Sequence, residues 1–434
     1  MRPMRGSDIV AVGFGTTVAM WTVGYIGMLP VVGVPTPLLL AGLVLCLLAG
    51  GAVLGRFGAR GFGGGAEAGA LCGVLNLLVL GSLLGGTHPG EIVPSALLWI
   101  PGSVLFSAVL AGIGAAGARA RPRGAVDWLA VQVRVTVVAT LLLLAVGGIV
   151  TSNGAGLAVV DWPNSFGYNM FLFPLRRMTG LIYYEHAHRL FGALVGLTTL
   201  VTTFSLQRAE PRRWVRVIGW IALGTVIVQG VLGGLRVTGR FTLSTSSSDT
   251  IPSLISAVIH GTLGQLFLAT LVALAAFTSP AWRRGLAFVR RRSVRTDRAL
   301  SVALVLVLIV QILLGAAQRH LGTLLMAHVV GGMLLVPGTT LLVGLRAWGL
   351  SGGNRRLHRL GLALLHAMSA QVLLGFASYV AAGAVRGGSL PPAVEVVVTT
   401  AHQWLGAVLL GLAVTLACWN FRLLAVADAP SAAA

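Results

Sequence analysis

The chain has 434 residues, 56% of them hydrophobic and only 10% charged, with a mean hydropathy of +0.90. That balance excludes a soluble globular domain and points to an integral membrane protein. Its formal net charge is +20 and every basic residue is Arg. The arginines fall in alternate loops, so anionic lipid headgroups, and not nucleic acid, are the partner of that charge.

Taken in chain order, apolar runs long enough to cross a bilayer as helices of roughly 20 residues recur twelve times. They lie near 8–32, 36–55, 67–86, 94–117, 131–150, 183–205, 216–237, 253–277, 299–317, 323–345, 360–383 and 396–420. The first follows Arg2 and Arg5 and lacks a small-residue cleavage site, so it reads as an uncleaved helix with its N-terminus inside. Under this threading all but seven of the 31 arginines fall in cytoplasmic segments, Arg290, Arg291 and Arg292 among them. The asymmetry predicts a multi-pass protein of the cell (plasma or inner) membrane with both termini cytoplasmic. Cys46, Cys72 and Cys418 all sit in predicted spans and read as packing residues. In the first four spans no His or acid has an assignable role, and Asn76 reads as interhelical glue.

Chemistry concentrates further along. Of nine histidines, four are followed four positions later by glycine: His188/Gly192, His260/Gly264, His328/Gly332 and His402/Gly406. Four residues is about one helical turn, so each pair stacks on one helix face. The spacings repeat: His188 to His260 is 72 residues, and His328 to His402 is 74. A second element, Gln-x-x-x-Gly, occurs at Gln229/Gly233, Gln311/Gly315 and Gln371/Gly375, with Leu143 in the Gln position ahead of Gly147. Gln229 to His260 and Gln371 to His402 are both 31 residues.

Two tandem units explain these spacings. The predicted fold is an all-α polytopic membrane protein with about twelve transmembrane helices, the last eight forming two pseudo-twofold four-helix bundles. The predicted domains are an N-terminal four-helix membrane region of unknown role (1–124), bundles over 125–285 and 286–424, and a C-terminal tail (425–434).

The threading puts all four histidines within about two turns of the outer end of their helices. A single buried His reads as an interhelical hydrogen-bonding residue; four in one layer of a twofold repeat read as ligands. Zinc would gather its ligands about 2 Å from one ion and needs no glycine clearance. Haem needs an imidazole on either face and a flat slot between helices, which the glycines leave room for. The pattern therefore predicts two bis-histidine haem sites. The Gln-x-x-x-Gly elements read either as close helix packing with an interhelical amide bond or as haem contacts.

Only the first unit, in YYEHAHRLFG, adds an acid and a base, Glu185 and Arg189. Glu185 is three residues before His188, so both can face one slot. One site thus has a carboxylate beside it, the asymmetry expected if one haem reacts and the other carries electrons. Glu185 also reads as a helix N-terminal acid, and Arg189 as an interfacial anchor. His88, His186, His320, His358 and His366 are taken as non-ligands, with His320 and His358 placed in loops.

These residues resemble the heme A synthase family. The likeness rests on Glu-x-x-His-Arg (Glu185, His188, Arg189), the outer-loop DWPNSFGYN from Asp161, VQGVLGG at 228–234, and the even-helix histidines, over roughly 130–420. It implies an eight-helix, twofold-repeated oxidoreductase that converts a methyl group of heme O to the formyl group of heme A. By position it implies His188 and His260 as substrate-haem ligands, Glu185 as catalytic carboxylate, and His328 and His402 as ligands of a haem b cofactor. Haem iron would be the metal held by all four.

Heme O synthase and an electron acceptor are the implied partners, and a homo-oligomer is open. Asp161 and Trp162 read as a cap over the first slot or as an ordinary Asp-Pro turn, and Arg236, Arg319 or Arg386 as propionate partners. Two departures stand out: Val159 and Ser165 replace a cysteine pair common in the family, and four helices precede the repeat. A b-type dihaem cytochrome for electron transfer, and a transporter, are the rival readings; the shared outer layer of histidines argues against both.

Overall fold

The computed structural model describes residues 6–119, 126–238, 251–284 and 288–426, with the side chains of 251 and 252 left aside. The predicted domain boundaries at 124/125 and 285/286, Arg2, Arg5 and most of the 425–434 tail lie outside them. The described chain is helical, with twelve helices long and apolar enough to cross a membrane. In order they are α1 (Ser7–Gly27), α2 (Thr36–Phe57), α3 (Phe62–Leu80), α4 (Ala96–Gly117), α5 (Trp128–Ser152), α6 (Gly180–Ala209), α7 (Arg213–Thr238) and α8 (Ile251–Thr278). The short α9 (Pro280–Arg283) precedes α10 (Val294–Leu321), one span divided into α11 (Leu325–Val330) and α12 (Val336–Gly349), then α13 (Arg355–Arg386) and α14 (Pro392–Leu423).

Each predicted span has its helix. Local chemistry sets several ends: Asp127 accepts from the Ala130 amide at 3.0 Å to open α5, Asn354 accepts from Arg356 and Leu357 to open α13, and left-handed Gly322 closes α10. The helices outrun their apolar cores, because backbone hydrogen bonding continues through the interfacial Arg and His residues. Thus His320 lies in the last turn of α10 and His358 in the first turn of α13, not in loops as the hydropathy implies.

The chain forms two compact units, Met1–Gly230 and Val231–Ala434. In the first, α3 lays Gly65, Gly69 and Gly73 against the α4 backbone around Ala111, Ser107 and Val104. Three glycines one turn apart permit this close crossing, where a larger side chain would meet main chain. Gly51 and Gly55 of α2 meet Ala111 and Ala115 in the same way. Helix α1 is tied in by Trp21 Nε1 donating to Asn76 Oδ1 (3.0 Å) and by an Asp8–Arg60 ion pair of 2.8 Å. It packs on α5, and α3 packs on α6. Between α5 and α6, Thr136 and Thr202 share a buried 2.7 Å hydroxyl bond, joined by Gln132.

In the second unit α8, α10 and α14 pack mutually, and α12, α13 and α14 follow as neighbours. Leu304, Leu308, Leu364, Leu410 and Leu416 lie in its apolar core. At one end Asp297 holds Arg291 (3.1 Å) and Arg346 (2.7 Å), and Arg356 lies 3.9 Å over the Trp419 ring. The exposed Leu, Val and Phe side chains of both units are what lipid contact requires.

Candidate functional site

Each of the four histidines followed by glycine rests on a glycine of the helix before it. A Cβ built on Gly147 would lie 3.0 Å from His188 Cε1, on Gly233 3.6 Å from His260, on Gly315 2.9 Å from His328 and on Gly375 2.9 Å from His402. The ring seats are therefore Gly147 and the glycines of the three Gln-x-x-x-Gly elements. Glycine at the position after a helical turn also strips the cover from the carbonyl four residues earlier. At His402 that carbonyl is Gln371's, one turn before Gly375, and Nδ1 of the ring is buried without a hydrogen bond of good geometry.

Gly332 and Gly406 take a different part. They admit the amides of Gln311 and Gln371 from the neighbouring helix, with Nε2 at 2.9 and 3.3 Å from a built Cβ. Gly192 opens on free space, with nothing within 4 Å of a built Cβ, and Gly264 is buried in α8.

Gln311 Nε2 donates to the His328 carbonyl at 2.8 Å and lies 3.0 Å from His328 Nδ1. By occupying that carbonyl and pressing on Gly331, it accounts for the π turn over Gly331–Leu335 that follows the histidine. Such bulges arise where a side chain enters the helical ladder.

Within the second unit His328 and His402 are brought together, ring centroids 6.2 Å apart and planes at 87°. Two metal–nitrogen bonds of about 2 Å each, plus the ring radii, span roughly 6 Å, so the centroid spacing matches that of two imidazoles sharing one metal. Among the described residues no three His, Cys, Asp or Glu side chains converge on a common position. The pair would offer two imidazoles, the number haem takes from protein in its axial positions.

In the first unit Glu185, His188 and Arg189 occupy adjacent turns of α6. Glu185 is buried, so it is not a solvated helix-end acid; Arg189 Nε donates to its Oε1 at 3.2 Å, with 8% and 7% of the two side chains exposed. The rest of the guanidinium is spent on backbone: Nη1 donates to the Asp161 (2.7 Å) and Asn164 (3.0 Å) carbonyls, and Nη2 to Val159 (2.7 Å). A planar five-donor group is what can hold a carboxylate and three carbonyls together. Arg189 therefore fastens the loop between α5 and α6 to Glu185.

That loop is a small hairpin, β1 (Asn164–Ser165) paired antiparallel with β2 (Tyr168–Asn169). Asp161 shapes it by accepting from the Phe166 (2.6 Å) and Gly167 (2.8 Å) amides, while Trp162 is exposed. Val159 is fully buried, and Ser165 Oγ meets Nδ1 of the fully buried His186 at 3.1 Å. His186 also packs 4.9 Å from the Phe173 ring, so it faces the loop.

The hairpin leans on the turn after α3. Tyr168 Oη donates to the Thr87 carbonyl at 2.5 Å, and Glu91 organises that turn. The His88 amide, the Thr87 hydroxyl and the Thr87 amide donate to Glu91 Oε2 and hold its carboxyl below the usual glutamate range. A depressed folded value means these bonds exist above the ordinary glutamate pKa of about 4.3 and are lost as pH falls through the folded one. Amide exchange across the Gly85–Ile92 bridge is expected to accelerate on acidification below that range, and this pH dependence to vanish in Glu91→Gln.

Arg236 and Arg319 close the last turns of α7 and α10, with His320 in electrostatic reach of both and of His260; Arg386 ends α13 exposed. His366 turns to the Leu362 carbonyl of its own helix (2.8 Å), and His88 is exposed.

The family model of the cytochrome oxidase assembly proteins, COX15-CtaA, matches residues 130–428, more than half of the chain. The chain belongs to this family. COX15-CtaA is the heme A synthase family that Glu-x-x-His-Arg and DWPNSFGYN resemble, and it serves heme A synthesis for cytochrome oxidase assembly. The COX15-CtaA match starts in α5, so α1 to α4 precede it. Among curated proteins none matches the chain. Motif reading passes over Thr87 and gives no contact role to Ser165 and Tyr168, although both lie in DWPNSFGYN; the ring seats had a signal in the glycines of Gln-x-x-x-Gly and in Gly147.

Proposed function

We propose that this chain is a heme A synthase-type oxidoreductase that converts the methyl group of heme O to the formyl group of heme A. The observation that carries the reading is the facing pair His328 and His402, 6.2 Å apart within a COX15-CtaA chain. These two would hold a haem b, which when bound supplies one-electron transfer. On the family resemblance His188 and His260 ligate the substrate haem, and Gly192 leaves space beside His188. Arg236 and Arg319 are the candidate propionate partners.

Conversion of a methyl to a formyl group takes oxygen from one water and releases four protons and four electrons. Glu185 is the buried group placed one turn from His188 to accept protons. Arg189 holds it in place and keeps the outer loop closed over it, which limits water entry. The electrons leave to a one-electron acceptor. Heme O synthase as donor of substrate, and a homo-oligomer, belong to the same proposal.

Expressed in cells that make heme O but no heme A, the chain is expected to yield heme A on haem extraction. Extracts holding only heme O, from cells in which the protein carries haem, would instead support the dihaem electron-transfer cytochrome.

A further inference from the structure

The four helices ahead of the family match touch the outer loop at several independent points. The Thr87 carbonyl accepts from Tyr168 Oη (2.5 Å) and from Arg177 Nη2 (3.5 Å). Gly81 and Gly85 meet the carbonyls of Phe171 and Leu172 so closely that a Cβ on either would collide with them. Gly167 packs on Pro89, at 3.5 Å from a built Cβ. Helix α6 itself is held from the same side: Tyr183 Oη donates to the Tyr25 carbonyl (2.9 Å), their rings stack at 5.6 Å, and Trp21 meets Phe191 edge-on at 5.5 Å.

These contacts are not scattered. Tyr168 is paired with Ser165 across the hairpin, Ser165 and Asn164 form the strand whose Asn164 carbonyl Arg189 binds, and Arg189 binds Glu185. Four contacts, each a hydrogen bond or a paired strand, and the one peptide link between Ser165 and Asn164 thus lead from Thr87 to the carboxylate. Tyr168 is 2% exposed, and its hydroxyl is spent on the N-terminal region. The loop carries its own small aromatic cluster, Phe166 and Tyr168 against Phe173, and the place of that cluster is set by what it leans on.

We infer that the N-terminal four-helix region is a built-in brace for the outer loop, and that Tyr168 is a positioning residue through which the brace sets the geometry of Glu185. The inference rests on the reading of Glu185 as the proton-handling group, but the brace itself stands on contacts independent of any haem chemistry. It gives the four extra helices a task on the reacting side of the molecule.

The test uses the full-length purified protein in two variants that leave Glu185, Arg189 and the histidines untouched. Tyr168→Phe removes one hydroxyl and keeps the ring; Gly85→Ala pushes on the loop from the N-terminal side. Amide exchange over 159–177 is expected to rise about fivefold in Tyr168→Phe, the factor carried by one hydrogen bond of ordinary net strength. The infrared band of the Glu185 carboxyl, assigned by its loss in Glu185→Gln, is expected to move in both variants. Unchanged exchange would show that the brace does not hold the loop, and faster exchange with an unmoved band that it stops short of Glu185; either overturns the inference. Neither readout depends on heme O turnover, so failure here is separable from failure of the proposed reaction.

Discussion

Glu185→Gln is expected to lower heme O conversion by about 10²–10⁴-fold, the range that a positioned general acid or base contributes, while haem content stays unchanged. The substitution keeps the shape of a side chain that is 7% exposed and removes only its capacity to take a proton. Arg189 retains three carbonyl partners on Val159, Asp161 and Asn164, so the loop keeps its fastening and folding is preserved. Removing the arginine is a different experiment. In Arg189→Ala a buried carboxylate loses its cation and three carbonyls lose a charged donor, changes worth about 3–5 kcal/mol in buried pairs. Its signature would be lower thermal stability together with lost activity. Conversion at the parent rate by Glu185→Gln, with both haems bound, would remove the carboxylate from the reaction.

The contrast between these two neighbours shows what a sequence can and cannot disclose. Glu185 and His188 are one turn apart on an apolar helix, and their shared face follows from helical geometry alone. Arg189 acts on carbonyls 25 to 30 residues upstream, and a backbone acceptor has no side-chain signature. The twelve spans were legible because lipid demands long apolar helices. Their polar ends, where Arg319, His320 and His358 continue the helix, were not, since apolarity stops before the hydrogen bonding does. The π turn after His328 likewise depends on Gln311 from another helix. Even the glycine signal was legible only in part: the pattern drew attention to the glycine one turn after each His, whereas the glycines under the rings belong to the preceding helix.

His402→Ala is expected to empty the cofactor site, and the companion change Gly375→Leu shows why the site needs more than its ligands. Removing the imidazole takes away one of the two proposed axial groups, which stand 6.2 Å apart, so the haem proposed there should be lost from the purified protein while the second is kept. Gly375→Leu leaves His402 in the chain but fills its seat, because even a Cβ there would lie 2.9 Å from the ring. The ring must swing away from the position in which it faces His328. Metal affinity depends on how a ligating imidazole is held, and disturbing that support costs about 10–100-fold, so Gly375→Leu should bind haem weakly, with a spectrum that has lost its six-coordinate low-spin character. Haem titration of the two variants against the parent protein measures both effects. Full six-coordinate haem in His402→Ala would mean that the facing pair is a packing contact between helices, and the cofactor would have to be held elsewhere.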